Sequence, residues 1–365
     1  MPKLVAPLPQ AKFLPAIVMP ILRWYDAERR ILPWREDPTP YHVLVSEIML
    51  QQTRVETVKT YYERFMQKLP TLEALAQADE TTVFKLWEGL GYYRRARHLC
   101  LAAQVAFVRY GGLPANFEAL LALPGIGRYT AGAIASIAFQ QRVCALDANA
   151  LRVLARLLDV AEDVTRDKTK RVLEVSLRSA LPKERMGDFN QAIIELGALI
   201  CLPQKNAHCA QCPLKEFCLA FKNHTVANLP VKPPQHPRRV EKVTFFVLQQ
   251  EGRLALLKRP AQGLLAGLWG LPMLKKHLTS SEVTAHLQKA GLQVQSLQAL
   301  PPSHHIFTHL TWDIQAWGAS VQGINQKFVW TTWSERREVY SIPSAFAFYC
   351  TAPPKNDDVS KGDLS

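Results

Sequence analysis

Between Asn228 and Arg239 the chain reads NLPVKPPQHPRR, and its four prolines forbid a helix and favour an extended, semi-rigid spacer. The hydrophobic period changes across it. From about residue 16 to 222, apolar residues recur at three- and four-residue spacing, with Gly or Pro punctuation at 70, 89–91, 111–114, 124–127 and 187 and no strand pattern. Beyond the prolines, 243–248 (VTFFVL), 253–258 (RLALLK), 308–317 (THLTWDIQAW) and 327–332 (KFVWTT) read as strands, and 280–290 and 343–350 as helices. The sequence thus predicts a multidomain chain: an all-α part, a linker over 226–239, and a small α/β domain over 240–350. The stretch 351–365 (TAPPKNDDVSKGDLS) has almost no apolar content and is expected to be disordered.

With 48% apolar and 21% charged residues, the 365-residue chain can bury real cores, which excludes wholesale disorder. Its 44 Lys and Arg against 31 Asp and Glu give a formal charge of +13. That excess points to a polyanionic partner, nucleic acid first and a membrane surface second. Prolines at 2, 7, 9, 15 and 20 break up the N-terminal stretch, leaving no apolar export segment, and no uncharged apolar run reaches membrane-spanning length. A soluble, intracellular protein is expected.

Four of the seven cysteines, Cys201, Cys209, Cys212 and Cys218, fall in the pattern C-x7-C-x2-C-x5-C. Four thiolates on one short loop can hold a tetrahedral zinc or an iron–sulfur cluster, and the spacing leaves both open. Lys205, His208 and Lys215 on the same loop would make it a basic surface feature.

Three helical motifs carry chemistry. In LPGIGRYTAGAI (123–134), Gly125 and Gly127 precede a helix whose first turn would offer unpaired N–H groups to a phosphate oxygen; a plain helix–helix turn is the alternative. In YHVLVSEIMLQQTRV (41–55), Glu47 shares a helix face with Val43, Leu44 and Leu50, where desolvation favours the neutral acid, unless it pairs with a buried Arg35 or Arg54. Gln51, Gln52 and Thr53 follow as a polar run suited to bases or phosphates. In ALDANALRVLAR (145–156), Asp147 precedes an amphipathic helix and reads as its N-cap, a setting that keeps the carboxylate ionised. A neutral Glu and an ionised Asp are the pair that glycosidic cleavage requires.

Together these segments resemble the endonuclease III superfamily of DNA glycosylases: LPGIGRYTAGAI is similar to its helix-hairpin-helix, and the four cysteines are similar to its four-iron four-sulfur loop. SEIMLQQTRVETV and GLGYYRRAR resemble its adenine-specific branch, the MutY family. The resemblance runs from Trp24 to about Val329 and favours the iron–sulfur cluster over zinc. It implies a helix-hairpin-helix glycosylase core with a C-terminal Nudix-like domain. The expected division is 1–33 with 143–225 as the cluster lobe, 34–142 as a six-helix barrel, and 240–350 as the Nudix-like domain.

The resemblance further implies removal of adenine paired with 8-oxoguanine, after the base is flipped from the stack. Glu47 matches the acid that protonates adenine N7, and Asp147 the carboxylate that stabilises the oxocarbenium-like sugar. Tyr129 matches a residue that sets the acid's geometry, and Asn149 one that assists Asp147. Arg35 and Gln191 match the adenine pocket, and Gln52 and Tyr92 the side chains that wedge into the duplex. Phe307, Thr308 and His309 correspond to the family's Phe-Ser-His loop for 8-oxoguanine.

Glycosylase/lyase members carry Lys where this chain has Tyr129, so a monofunctional enzyme is expected. Ala148 replaces the usual Gly after the Asp, and the first cysteine gap is seven residues rather than six. The second domain lacks the Glu-dense helix of an active Nudix pyrophosphatase, with only Glu282 between residues 274 and 292. The basic residues Arg94, Arg95, Arg97 and Arg128 and the cysteine-loop lysines are expected to contact phosphates. The expected partner is double-stranded DNA bearing 8-oxoguanine:A or G:A mispairs, engaged by a monomer in a bacterial cytoplasm, at the nucleoid. The alternatives are a non-catalytic damage-binding module and an endonuclease III-like enzyme for oxidised pyrimidines.

Overall fold

A computed structural model describes residues 6–233 and 237–350. The predicted disordered tail, 351–365, lies outside the described residues. Contacts divide the chain into two units, Met1–Ala78 with Arg94–Gln235, and Asp79–Tyr93 with His236–Ser365. Residues 79–93, which the sequence reading keeps in the helical barrel, are therefore counted with the C-terminal unit. No helix among the described residues is long and apolar enough to cross a membrane.

The first unit is helical, and its starts follow local chemistry. Thr39, Thr71, Asn116 and Asp147 each accept a hydrogen bond from the backbone N–H three residues on, satisfying donors that a helix start leaves orphaned. Helix α1 (Pro40–Leu50) buries every residue from Val43 to Met49. Such a helix belongs inside a protein, and any charge on it is desolvated. Helix α2 (Arg94–Tyr110) and helix α3 (Arg128–Ile137) pack beside it. Helix α4 (Ala148–Leu157) and helix α5 (Met186–Leu199) share one core with the N-terminal segment, through Leu14, Ile17, Ile21, Leu154, Phe189 and Ile193. Each such side chain contributes about 1.5–3 kcal/mol by leaving water.

The proline segment is less free than its composition suggests. Leu229 is buried, its carbonyl accepts from Arg156 Nε at 3.0 Å, and the Val231 carbonyl accepts from the Val164 N–H at 3.2 Å. Its first residues are thus pinned to the helical unit.

The second unit is a mixed sheet. Its strands are β1 (Arg239–Gln250), β2 (Arg253–Lys258), β3 (Trp269–Gly270), β4 (Met273–Leu274), β5 (Leu292–Ile306), β6 (Leu310–Gly323) and β7 (Val329–Thr331). The order is β3-β2-β1-β6-β5, with β4 on β1 and β7 on β2; β1 and β6 run parallel and the other pairs antiparallel. Alternation along β1 sends Phe245 to a core with Trp312, Ile314 and Phe346, and Phe246 to a second core with Val283, Leu287 and Val321. Strand β5 is a finding the sequence pattern did not give. Pro301 and Pro302 lack the N–H a ladder needs, and they fall where the register shifts between Leu300 and Ser303, a bulge that tolerates them. Helix α6 (Ser280–Lys289) opens with a capping box in which Glu282 accepts from the Thr279 N–H at 2.8 Å. The one Glu of that region is thereby spent on a helix start.

Candidate active site

A cleft of about 780 Å³ opens in the helical unit, lined by Arg35, Glu47, Gln51, Gln52, Tyr129, Asp147, Asn149, Gln191 and Glu195 among others. Both predicted carboxylates and both predicted pocket residues thus face one space.

Glu47 lies near the C-terminal end of α1 and is 8% exposed. Its partner is a phenol: Tyr129, in the first turn of α3, donates to Glu47 Oε2 at 2.5 Å. Burial pushes the Glu47 carboxyl up to about 7; the Tyr129 hydrogen bond and the Arg35 charge offset this in part, and Asp147 adds to it. The Tyr129 phenol is itself raised, by burial first and by the two carboxylates. The alternative of a Glu47–Arg35 pair is excluded, because Arg35 is engaged elsewhere. It donates to Gln191 Oε1 at 3.0 Å and Glu195 Oε2 at 2.9 Å.

The backbone around Glu47 is held by a residue assigned a different role from sequence. Arg95, expected at a phosphate, is buried on α2; its guanidinium donates to the carbonyls of Ile48, Met49 and Gln51 and to Thr53 Oγ1. It satisfies the orphan acceptors at the end of α1 and fixes the turn that carries Gln51 and Gln52. Gln51 reaches Thr130 Oγ1 at 3.4 Å, while Gln52 is exposed with φ +61°. Arg128, a second expected phosphate contact, pairs with Glu174 at 3.0 Å.

Asp147 caps α4: Oδ1 accepts from the Ala150 N–H at 2.7 Å and Oδ2 from Asn149 Nδ2 at 2.9 Å. The cap is as expected, its electrostatic consequence less so. Burial raises the carboxyl above its ordinary value, against the lowering by the Ala150 and Asn149 bonds. Behind it, Asn149 Oδ1 accepts from Arg152 at 2.9 Å, and Arg152 also donates to the Gly197 and Cys201 carbonyls at 2.7 Å each.

Across the cleft, Glu195 is a second buried carboxylate, 0% exposed. Burial raises it, but Arg30 and Arg35 hydrogen bonds outweigh that and bring it down to about 2.

The turn before α3 explains its glycines separately. Gly125 has φ +74°, and a Cβ there would lie 2.4 Å from His98 Cβ on α2, so both backbone and packing demand Gly. A Cβ on Gly127 would meet nothing within 4 Å. The first turn of α3 carries no side-chain cap and no acidic residue, so its N–H groups stay open to an anion.

The four cysteines are free thiols ringed around one small cavity with Arg156 and Lys215. Arg156, buried on α4, donates to Cys201 Sγ at 3.2 Å and to the Leu202 and Gln204 carbonyls. Among the described residues no group of three or more His, Cys, Asp or Glu is disposed to hold a metal ion. The donor chemistry fits an iron–sulfur cluster: four sulfurs and a guanidinium aimed at one of them. Sequence reading missed Arg152 and Arg156, although two arginines four apart on an otherwise apolar helix, ALRVLAR, were the available signal.

In the second unit the turn between β5 and β6 carries Phe307, Thr308 and His309. Thr308 and His309 are exposed, and Thr308 Oγ1 lies 3.4 Å from the Tyr92 hydroxyl. Phe307 turns inward instead, edge-on to Trp312 at 4.9 Å, so its ring serves the core.

Residues 45–179 match the HhH-GPD superfamily of base excision DNA repair proteins, and 243–350 match the NUDIX domain. The adenine DNA glycosylase of Rattus norvegicus is 36% identical over 386 residues, spanning 87% of this chain and 74% of its own. That of Schizosaccharomyces pombe is 33% identical over 394 residues, spanning 87% and 85%. The solved structure of a thermostable thymine-DNA glycosylase matches with a TM-score of 0.52 at 30% identity, over 58% of this chain and 98% of that one.

Proposed function

The chain belongs to the adenine DNA glycosylases, an HhH-GPD core followed by a Nudix-like domain, and from that premise we propose that it excises adenine mispaired with 8-oxoguanine, or with guanine, leaving an abasic site. The observation that carries the reading is Glu47: a buried carboxyl raised to about 7, hydrogen-bonded to a phenol, in the same cleft as the capped Asp147. Such an acid is protonated in a useful fraction near neutral pH, the condition for general acid catalysis.

In this mechanism adenine leaves the stack and enters the cleft, since N7 and the glycosidic bond cannot both be reached inside a duplex. Neutral Glu47 donates its proton to adenine N7. The C1′–N9 bond then breaks and its electron pair stays with the base. Positive charge develops on the sugar, where the Asp147 carboxylate stabilises it until water attacks. Tyr129 holds the Glu47 carboxyl, and Asn149 holds that of Asp147. Arg35 is spoken for by Glu195, so it and Gln191 shape the pocket from a fixed position. No lysine stands at 129 to form a Schiff base with the sugar.

Cys201, Cys209, Cys212 and Cys218 would hold one four-iron four-sulfur cluster, whose bonds would cross-link the loop structurally. Open amides at α3, with Gly125 and Gly127 before them, suit a phosphate. The exposed Gln52 and Tyr92 suit the wedge role, and Thr308 with His309 suit contact with the oxidised base. The protein acts as a monomer on double-stranded DNA.

Single-turnover assays on duplexes bearing 8-oxoguanine:A, G:A and thymine glycol test this. Expected is adenine excision with strand breaks appearing only after alkali. Turnover confined to thymine glycol, or efficient borohydride trapping of a protein–DNA adduct, would overturn it.

A further inference from the structure

Tyr92 stands in an uncommon turn. Gly89, Gly91 and Tyr92 all have positive φ, at 94°, 75° and 51°. Glycine adopts that region freely, but a tyrosine there persists only where its surroundings over-determine the backbone. Trp87 Nε1 donates to the Gly91 carbonyl at 3.1 Å and supplies part of the constraint.

The rest comes from residues 340–342, some 250 positions along the chain and within the same contact unit. On the N-terminal side of the turn, the Ile342 N–H donates to Glu88 Oε1 at 2.9 Å. Glu88 is also paired with Lys85 at 2.5 Å, and Lys85 donates to the Tyr340 carbonyl at 3.4 Å. On the C-terminal side, Ser341 Oγ lies 3.2 Å from the Tyr93 hydroxyl, and the Ser341 hydroxyl donates back across the turn to the Phe84 carbonyl at 3.0 Å. The strained turn is therefore gripped at residues 84–88 and again at 93. The gripping residues are themselves packed: Ser341 and Ile342 are 3% and 2% exposed, and Ile342 shares the sheet's core with Trp312 and Phe346.

We propose that Ser341 and Ile342 are positioning residues that set the wedge side chain Tyr92. On this view the C-terminal domain contributes to recognition of the oxidised base in two ways, through its exposed hairpin turn and by clamping the turn that presents Tyr92. The Thr308–Tyr92 contact joins the two. The inference rests on the reading of Tyr92 as a wedge.

The test compares single-turnover adenine excision from 8-oxoguanine:A and G:A duplexes for wild type, Tyr92→Ala, Ser341→Ala, Ser341→Thr, Glu88→Ala and the Tyr92→Ala Ser341→Ala double variant. Ser341→Ala and Glu88→Ala should each lower the preference for 8-oxoguanine:A by about two- to tenfold, the scale of one lost hydrogen bond, with G:A cleavage retained. Ser341→Thr, which keeps the hydroxyl, should restore the preference. Ser341→Ala should add nothing in the Tyr92→Ala background, since a residue acting through Tyr92 has nothing left to act on. Undiminished preference in folded Ser341→Ala and Glu88→Ala proteins, or an additive loss in the double variant, would overturn the clamp while leaving the wedge standing. An unchanged preference in Tyr92→Ala would sink the wedge reading and the clamp together. Thermal unfolding of each variant identifies any that fails to fold, and Glu88→Ala then carries the test in place of Ser341→Ala.

Discussion

Two glutamates in one cleft, both withdrawn from water, end at opposite extremes. Glu47 is raised to about 7 and Glu195 is lowered to about 2. Burial pushes both upward, so burial does not separate them. Their partners do: Glu47 has one phenol, and Glu195 has two guanidiniums at 2.8 and 2.9 Å. A phenol's hydrogen bond cannot offset desolvation of a charge, whereas paired guanidiniums can. The cleft therefore holds one carboxyl ready to give a proton and another locked as an anion that anchors Arg30 and Arg35. Asp147 is a third case, half-buried and met by an amide N–H and a side-chain amide.

That contrast can be broken at several points, and activity is the most sensitive. Glu47→Gln removes the proton donor while keeping the shape, and single-turnover adenine excision should fall by about 10²–10⁴-fold. A loss below tenfold would put the acid elsewhere. Glu195→Gln should act first on stability. A carboxylate with a depressed folded pKa stabilises the protein above its ordinary value near 4.5, and that contribution disappears as pH falls towards 2. At neutral pH its removal leaves two half-buried cations without their anion, and denaturant titration should show a loss of about 1.5–3 kcal/mol.

Glu47→Gln should do the reverse. A carboxyl with a raised folded pKa has its favourable neutral form below about 4.5 and loses that contribution as pH rises through about 7. The variant should therefore be more stable than wild type at about pH 8, by on the order of 1–3 kcal/mol, and this advantage should shrink at about pH 5. Equal stability of the two proteins at both pH values would contradict the assignment. The smallest effect is that of Tyr129→Phe. The phenol's hydrogen bond lowers the Glu47 pKa, so its removal should move the alkaline limb of the excision profile to higher pH; a shift to lower pH would show that the bond favours the neutral acid.

The burial of Glu47, the cap at Asp147 and the clustering of the four cysteines were legible because each belongs to a contiguous motif with a telling spacing. Glu195 was not legible, because the arginines that define it lie about 160 residues earlier in sequence. Arg95 looked like a phosphate contact beside Arg94 and Arg97, and only folding places it against the end of α1. The second domain shows the same limit. Its strands with a continuous apolar run, such as 253–258, coincide with the pattern, while β5 is hidden by the two prolines that its bulge accommodates. The resemblance implies that Phe307 faces the oxidised base with Thr308 and His309, and instead its ring packs edge-on against Trp312.

The most direct test of Glu47 as the acid is the pH dependence of single-turnover adenine excision from an 8-oxoguanine:A duplex, measured from about pH 5 to 9 with substrate saturating. The rate should decline on the alkaline side with an apparent pKa near 7, a limb that is absent from the residual activity of Glu47→Gln. A wild-type rate that stays level across the alkaline range, or the same limb in Glu47→Gln, would contradict it.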